Sequence, residues 1–128
     1  MASESLHDQV DAAIGVLKKG GVAAIPTDTF YGLAACVFDT RAVDTIFRLK
    51  RRTRGEPLPV LMADTADLTD LASEVPGLAW DLARAFWPGA LTIVVKKACR
   101  VPDAVSGGSD TVGLRVPDHW VTRAISRG

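Results

Sequence analysis

Arg48, Lys50, Arg51, Arg52 and Arg54 place five cations in one short stretch. Two readings fit that cluster. Cations at the end of a helix complement its partial negative charge and face solvent. Held inward, they form a clamp for a triphosphate, in which Lys is a point charge and Arg a planar fork for two oxygens. Attack on an α-phosphorus needs that atom made electrophilic and the departing pyrophosphate neutralised, and fixed cations do both. Arg115 is the second candidate. It sits in an apolar run with Val112, Leu114 and Val116, and strand alternation puts it on one face with Gly113. An inward Arg115 asks for an anion, because Arg is rarely buried without a partner. An outward one is a surface residue of an edge strand. The third candidate is Pro26-Thr27-Asp28-Thr29, which follows a short apolar run. Ligands of α/β sheets bind at the carboxyl ends of strands, although Thr and Asp are also ordinary turn residues.

These groups need elements to position them. Leu6, Val10, Ile14 and Leu17 recur at helical spacing, and Lys18, Lys19, Gly20 and Gly21 supply a basic last turn and a stop. Val22 to Ile25 reads as a strand buried on both faces, ended by Pro26. Asp39 or Thr40 caps a second helix with Val43, Ile46, Phe47 and Leu49 as its apolar side. Leu58 to Met62 carries Pro59 and reads as an edge strand or a strand start. Residues 64–71 and 76–86 read as helices, the second with Leu78, Leu82 and Phe86 on one face. Trp87-Pro88-Gly89 is a turn with a scaffolding role. Strands are expected over 91–95 and 112–116, a Gly- and Ser-rich loop over 102–110, and a helix opened by Asp118. Alternating strands and helices make the class α/β, with one sheet and packed helices. Residues 1–128 read as a single domain without repeats or linkers.

Composition narrows the partners. Among 128 residues, 48% are hydrophobic and 23% charged, which is enough to bury a core without disulfides or metals. Fifteen basic and fifteen acidic residues cancel, so any attraction to nucleic acid must come from a local patch. Cys36 and Cys99 lie far apart and read as small buried or half-buried thiols. His7 and His119 are single, with no ligand at metal spacing, so no metal site is expected from the chain itself. No apolar run reaches the ~20 residues that span a bilayer, and the polar, acidic start is no secretory signal. A cytoplasmic location without membrane contact is the expectation.

Four collinear blocks carry a resemblance. Gly20 to Leu33 is similar to an opening "GG, apolar strand, PT(D/E)TxYGL". Leu49-Lys50-Arg51-Arg52 with Pro57-Leu58 is similar to "KxR…PL", Trp87 to Thr92 to "WPGPLT", and Asp110 to His119 to "DTVGLRxPDH". Together they resemble the YrdC-like domains that make threonylcarbamoyl-AMP. The resemblance implies a twisted mixed sheet with flanking helices around a basic concave cavity. It also implies ATP, L-threonine and bicarbonate as substrates, with Mg2+, giving threonylcarbamoyl-adenylate and pyrophosphate for the N6-threonylcarbamoylation of adenosine 37 in tRNA. By the same match Lys50 and Arg52 face the cavity as catalytic cations. Lys50, Arg52, Arg54 and Thr111 bind the nucleotide, and Thr27, Tyr31 and Arg115 bind L-threonine, with Arg115 on its carboxylate and Gly32 shaping the floor.

The match has gaps. Glu56 stands where the family usually has Lys, and Leu61 where it often has His. The family's Ser-Ala-Asn motif, normally found beyond "RVPDH", is not reached by Gly128, so the domain reads as shortened at its C-terminal end. A weak or partner-dependent synthase is therefore the leading expectation, with a homodimer closing the sheet edge. A double-stranded RNA or tRNA-binding module using backbone contacts, and a degenerate relative without catalysis, are the alternatives.

Overall fold

A computed structural model describes residues 6–26, 31–50 and 58–128. Helix α1, Leu6–Lys18, opens the chain. It stops because Gly20 takes φ +84°, which an L side chain rarely adopts. The Gly20 and Gly21 N–H groups then reach back to the carbonyls of Leu17 and Val16, closing the end of the helix.

Strand β1, Ala23–Pro26, pairs antiparallel with β2, Tyr31–Ala34, in a register running from Ala23↔Ala34 to Pro26↔Tyr31. The sequence pattern suggested a strand buried on both faces. In the fold, Ile25 is buried while Ala24 is exposed, as in a hairpin with one covered face. β2 was not foreseen, because four residues including a glycine carry little strand signal. Helix α2, Thr40–Lys50, is capped by Asp39, whose carboxylate accepts the N–H groups of Arg41 and Ala42 at 3.1 and 3.2 Å. Val43, Ile46 and Phe47 are buried as expected, whereas Leu49 faces out.

Three strands form a second sheet in the order β3-β5-β4: β3 is Val60–Leu61, β4 is Ile93–Lys96 and β5 is Thr111–Arg115. The single sheet expected is thus two small ones among the described residues. β3 runs parallel to β5 and β4 antiparallel to it, so the Arg115 strand is central and the edge-strand reading of it falls. Alternation is strict on β4 and β5. Ile93, Val95, Val112 and Leu114 enter the main core with Val60, Met62, Leu68, Ala79, Ala83, Trp87 and Val105. The intervening residues line the opposite face.

Between β3 and β4 a 3-10 turn, Thr65–Asp67, leads into the short helix α3, Leu68–Leu71, where one continuous helix was expected. Helix α4, Gly77–Phe86, buries Ala79 and Ala83, and of the expected Leu78–Leu82–Phe86 stripe Leu82 packs partly buried against the core. Small residues let the helix lie close on the sheet, and Leu78 and Phe86 are left 68% and 56% exposed. The loop expected over 102–110 contains a short helix α5, Asp103–Ser106, that buries Val105 and ends at Gly107 with φ +67°. Of the two free thiols, Cys36 is half-buried and Cys99 exposed, so the second is more open than expected.

Helix α6, Trp120–Arg127, follows His119. Val10 of α1, Ile25 of β1 and Ile125 of α6 form a second core, into which Leu61 of β3 also packs. Trp120 is exposed, its ring tilted against His7 with centroids 5.8 Å apart. Thr122 is the buried polar residue of this helix, and its hydroxyl donates to the Pro26 carbonyl at the end of β1.

Candidate functional site

The open face of the β3-β5-β4 sheet presents two of the residues singled out from sequence. β5 presents Thr111, Gly113 and Arg115 on that face while Val112 and Leu114 fill the core. Strand geometry sets Thr111 and Arg115 about 13 Å apart along the strand. Gly113 between them carries no side chain, and the Thr92 methyl packs over it, 3.0 Å from where a Cβ would stand.

Each end of this face is anchored. At the Thr111 end, the Ser109 and Thr111 hydroxyls lie 2.9 Å apart, and the Thr111 N–H donates to Ser109 Oγ at 3.2 Å. At the other end, the half-buried Arg115 donates from Nε to the Gly89 carbonyl at 2.8 Å. The Gly89 N–H returns to the Val116 carbonyl at 2.9 Å, and the Met62 N–H donates to the Arg115 carbonyl at 2.8 Å. Leu61, where the family pattern often has His, lies in register with Arg115 and presents an apolar neighbour to it.

Helix α6 ties the strand ends together. Besides the Thr122 bond to Pro26, Ser126 Oγ donates to the Leu61 carbonyl at 3.1 Å. Arg123 Nε donates to the Ala63 carbonyl at 2.9 Å, while Arg123 and Arg127 both reach the Asp64 carboxylate, at 3.3 and 3.2 Å. The carboxyl ends of β1, β3 and β5 are thereby gathered at one side of the fold, which is where sheets of this class take ligands.

Of the residues singled out from sequence, Thr111 and Arg115 share this face. Lys50 closes α2 and Tyr31 opens β2. Thr27, Arg52, Arg54 and Glu56 lie outside the described residues, so the basic cavity they were expected to complete does as well. Open concavities occur at two places of interest among the described residues. One, of about 420 Å3, lies between α1 and the start of α2, beside Lys18, Cys36 and Arg41. The other, of about 340 Å3, runs between α4 and β4 and includes Thr111. Arg115 lines neither. Sequence reasoning passed over Lys96, which pairs with Thr111 and is exposed, adding a cation to the open face. The alternation Ile93-Val94-Val95-Lys96 was the signal for it. The bond between Gly89 and Arg115 left no signal, since it joins positions far apart in the chain.

The model of the Sua5/YciO/YrdC family, described as "Telomere recombination", matches residues 15–128. The chain belongs to this family. It is 42% identical over 113 residues to the threonylcarbamoyl-AMP synthase of Pyrococcus abyssi, covering 88% of this chain and 33% of that protein. It is 41% identical over 123 residues to the threonylcarbamoyl-AMP synthase of Bacillus subtilis, covering 93% and 35%. The crystal structure of P. abyssi Sua5 complexed with L-threonine matches the fold with a TM-score of 0.92 and 37% identity, over 98% of this chain and 37% of that one. The chain thus spans about a third of the length of these relatives. The mixed α/β fold expected from sequence is that of the Sua5/YciO/YrdC family.

Proposed function

We propose that this Sua5/YciO/YrdC chain forms threonylcarbamoyl-adenylate and pyrophosphate from ATP, L-threonine and bicarbonate. The observation that carries the reading is the open face of β5. An arginine is fixed at one end and a threonine at the other, in a chain whose fold matches Sua5 in complex with L-threonine. Arg115 takes the carboxylate of L-threonine through two charge-assisted bonds. Thr111 meets the nucleotide, and Thr27 and Tyr31 hold the rest of the amino acid.

The chemistry asks for a clamp as well as a floor. The threonine amine adds to bicarbonate with loss of water, and the resulting carbamate oxygen attacks the α-phosphorus while pyrophosphate departs. Lys50, Arg52 and Arg54 supply the positive charge that offsets what develops on the phosphates. No group of three or more His, Cys, Asp or Glu able to hold a metal exists among the described residues. A magnesium ion arriving with ATP would keep phosphate oxygens and waters among its ligands, as Mg2+ commonly does.

The same reading takes residues 1–128 as one domain, makes tRNA adenosine 37 the destination of the product, and includes a cytoplasmic homodimer. No helix among the described residues is long and apolar enough to cross a membrane. The test is exchange of labelled pyrophosphate into ATP by the purified chain. Exchange that depends on both L-threonine and bicarbonate is the expected result. Exchange independent of L-threonine, or no shift of the Thr111–Val116 amide resonances on adding millimolar L-threonine, overturns the reading.

A further inference from the structure

We infer that the turn formed by Trp87, Pro88 and Gly89 positions the Arg115 guanidinium, and so sets how tightly the chain holds an amino-acid carboxylate. The inference rests on the substrate role proposed for Arg115. From sequence the turn reads as scaffold. In the fold, both backbone groups of Gly89 are spent on the end of β5: its carbonyl accepts Arg115 Nε–H at 2.8 Å and its N–H donates to the Val116 carbonyl at 2.9 Å. A guanidinium is planar, so fixing Nε–H fixes the plane in which the two terminal nitrogens lie. A fork ordered in advance loses less side-chain entropy on meeting its carboxylate.

The turn is built to hold still. Trp87 is buried, its indole N–H donates to the Leu91 carbonyl at 2.8 Å, and its backbone N–H closes α4 on the Ala83 carbonyl at 2.9 Å. Gly89, after Pro88, has no room for a side chain, since a Cβ would stand 2.5 Å from the Phe86 carbonyl oxygen. That neighbour is backbone and cannot swing aside, so any larger residue displaces the very carbonyl that Arg115 uses. Gly89 touches no ligand in this account; it acts through Arg115.

The experiment is an NMR titration of the chain with L-threonine and, separately, with ATP, in wild type, Gly89→Ala, Arg115→Lys and the double variant. Gly89→Ala is expected to weaken L-threonine about 10-fold and to leave ATP affinity within about twofold. The double variant is expected to bind L-threonine no more weakly than Arg115→Lys alone, because residues acting through one contact are not additive. Trp87→Phe, which removes the indole bond while keeping the turn filled, is expected to give a smaller loss of the same kind, and it carries the test where Gly89→Ala does not fold. Wild-type L-threonine affinity in the turn variants, equal loss for both ligands, or losses that multiply in the double variant overturns the positioning role. Arg115→Lys binding L-threonine as well as wild type removes the substrate role itself, a result separable from the others because it does not involve the turn.

Discussion

At the scale of single residues, Arg115 and Thr111 divide the open face between them. Lys at position 115 keeps the charge but loses the planar fork and the Nε–H that meets Gly89. Arg115→Lys is expected to weaken L-threonine at least about 10-fold, roughly the value of one charge-assisted hydrogen bond, with ATP affinity little changed. Calorimetry with each ligand reads the two effects apart. Thr111→Val should do the reverse, because its hydroxyl network with Ser109 lies at the far end of the strand. An equal effect of both substitutions on both ligands would mean that the two residues do not mark separate ends of a site. Leu61 lies in register with Arg115, so Leu61→His tests whether a polar group there improves L-threonine binding.

At the scale of elements, β5 is both floor and core, and its two faces should respond differently. Leu114 is fully buried, and Leu114→Ala is expected to cost about 2–5 kcal/mol from lost burial and the cavity left behind. Val94, in register with Gly113 on the opposite face and 65% exposed, should tolerate Ala within about 0.5 kcal/mol. Urea midpoints at constant slope distinguish these outcomes. Helix α2 offers a local test. Asp39 satisfies two N–H groups of its first turn, so Asp39→Ala should cost about 1 kcal/mol, and Asp39→Ser should restore much of it. The same helix ends at Lys50, so fraying it should also weaken ATP if the cation cluster is a phosphate clamp.

Across the whole molecule, α6 joins the hairpin and the first helix to the three-stranded sheet. Its polar contacts are specific: Thr122 to the Pro26 carbonyl, Ser126 to Leu61, and Arg123 and Arg127 to Asp64. Thr122→Val keeps the shape but leaves a carbonyl without its donor, which should cost about 1–3 kcal/mol. The loss should fall unevenly. Amide hydrogen exchange is expected to quicken in α1, β1 and α6 before the β5 amides respond, since the second core depends on the docking of α6. Uniform acceleration would show that the two cores open together. Asp64 is about half exposed, so Asp64→Ala should matter less than Thr122→Val.

The sequence alone pointed to the α/β class, the stop at Gly20, a cap at Asp39 or Thr40, the alternation along β5 and the family. All of these are local, written in residue type and in periods of two or 3.6. Tertiary structure decided the rest. It put the Arg115 strand in the centre of its sheet, split the strands into two sheets, and made Ala79 and Ala83, with Leu82 beside them, the core side of α4. It also buried Thr122. Each choice turned on how closely two distant segments approach, which depends on side-chain volume and on backbone partners that periodicity does not record. The bond between Gly89 and Arg115 shows the limit most directly. The glycine was visible in the sequence, but the carbonyl it keeps in place has a partner only once α4 and β5 are packed against each other.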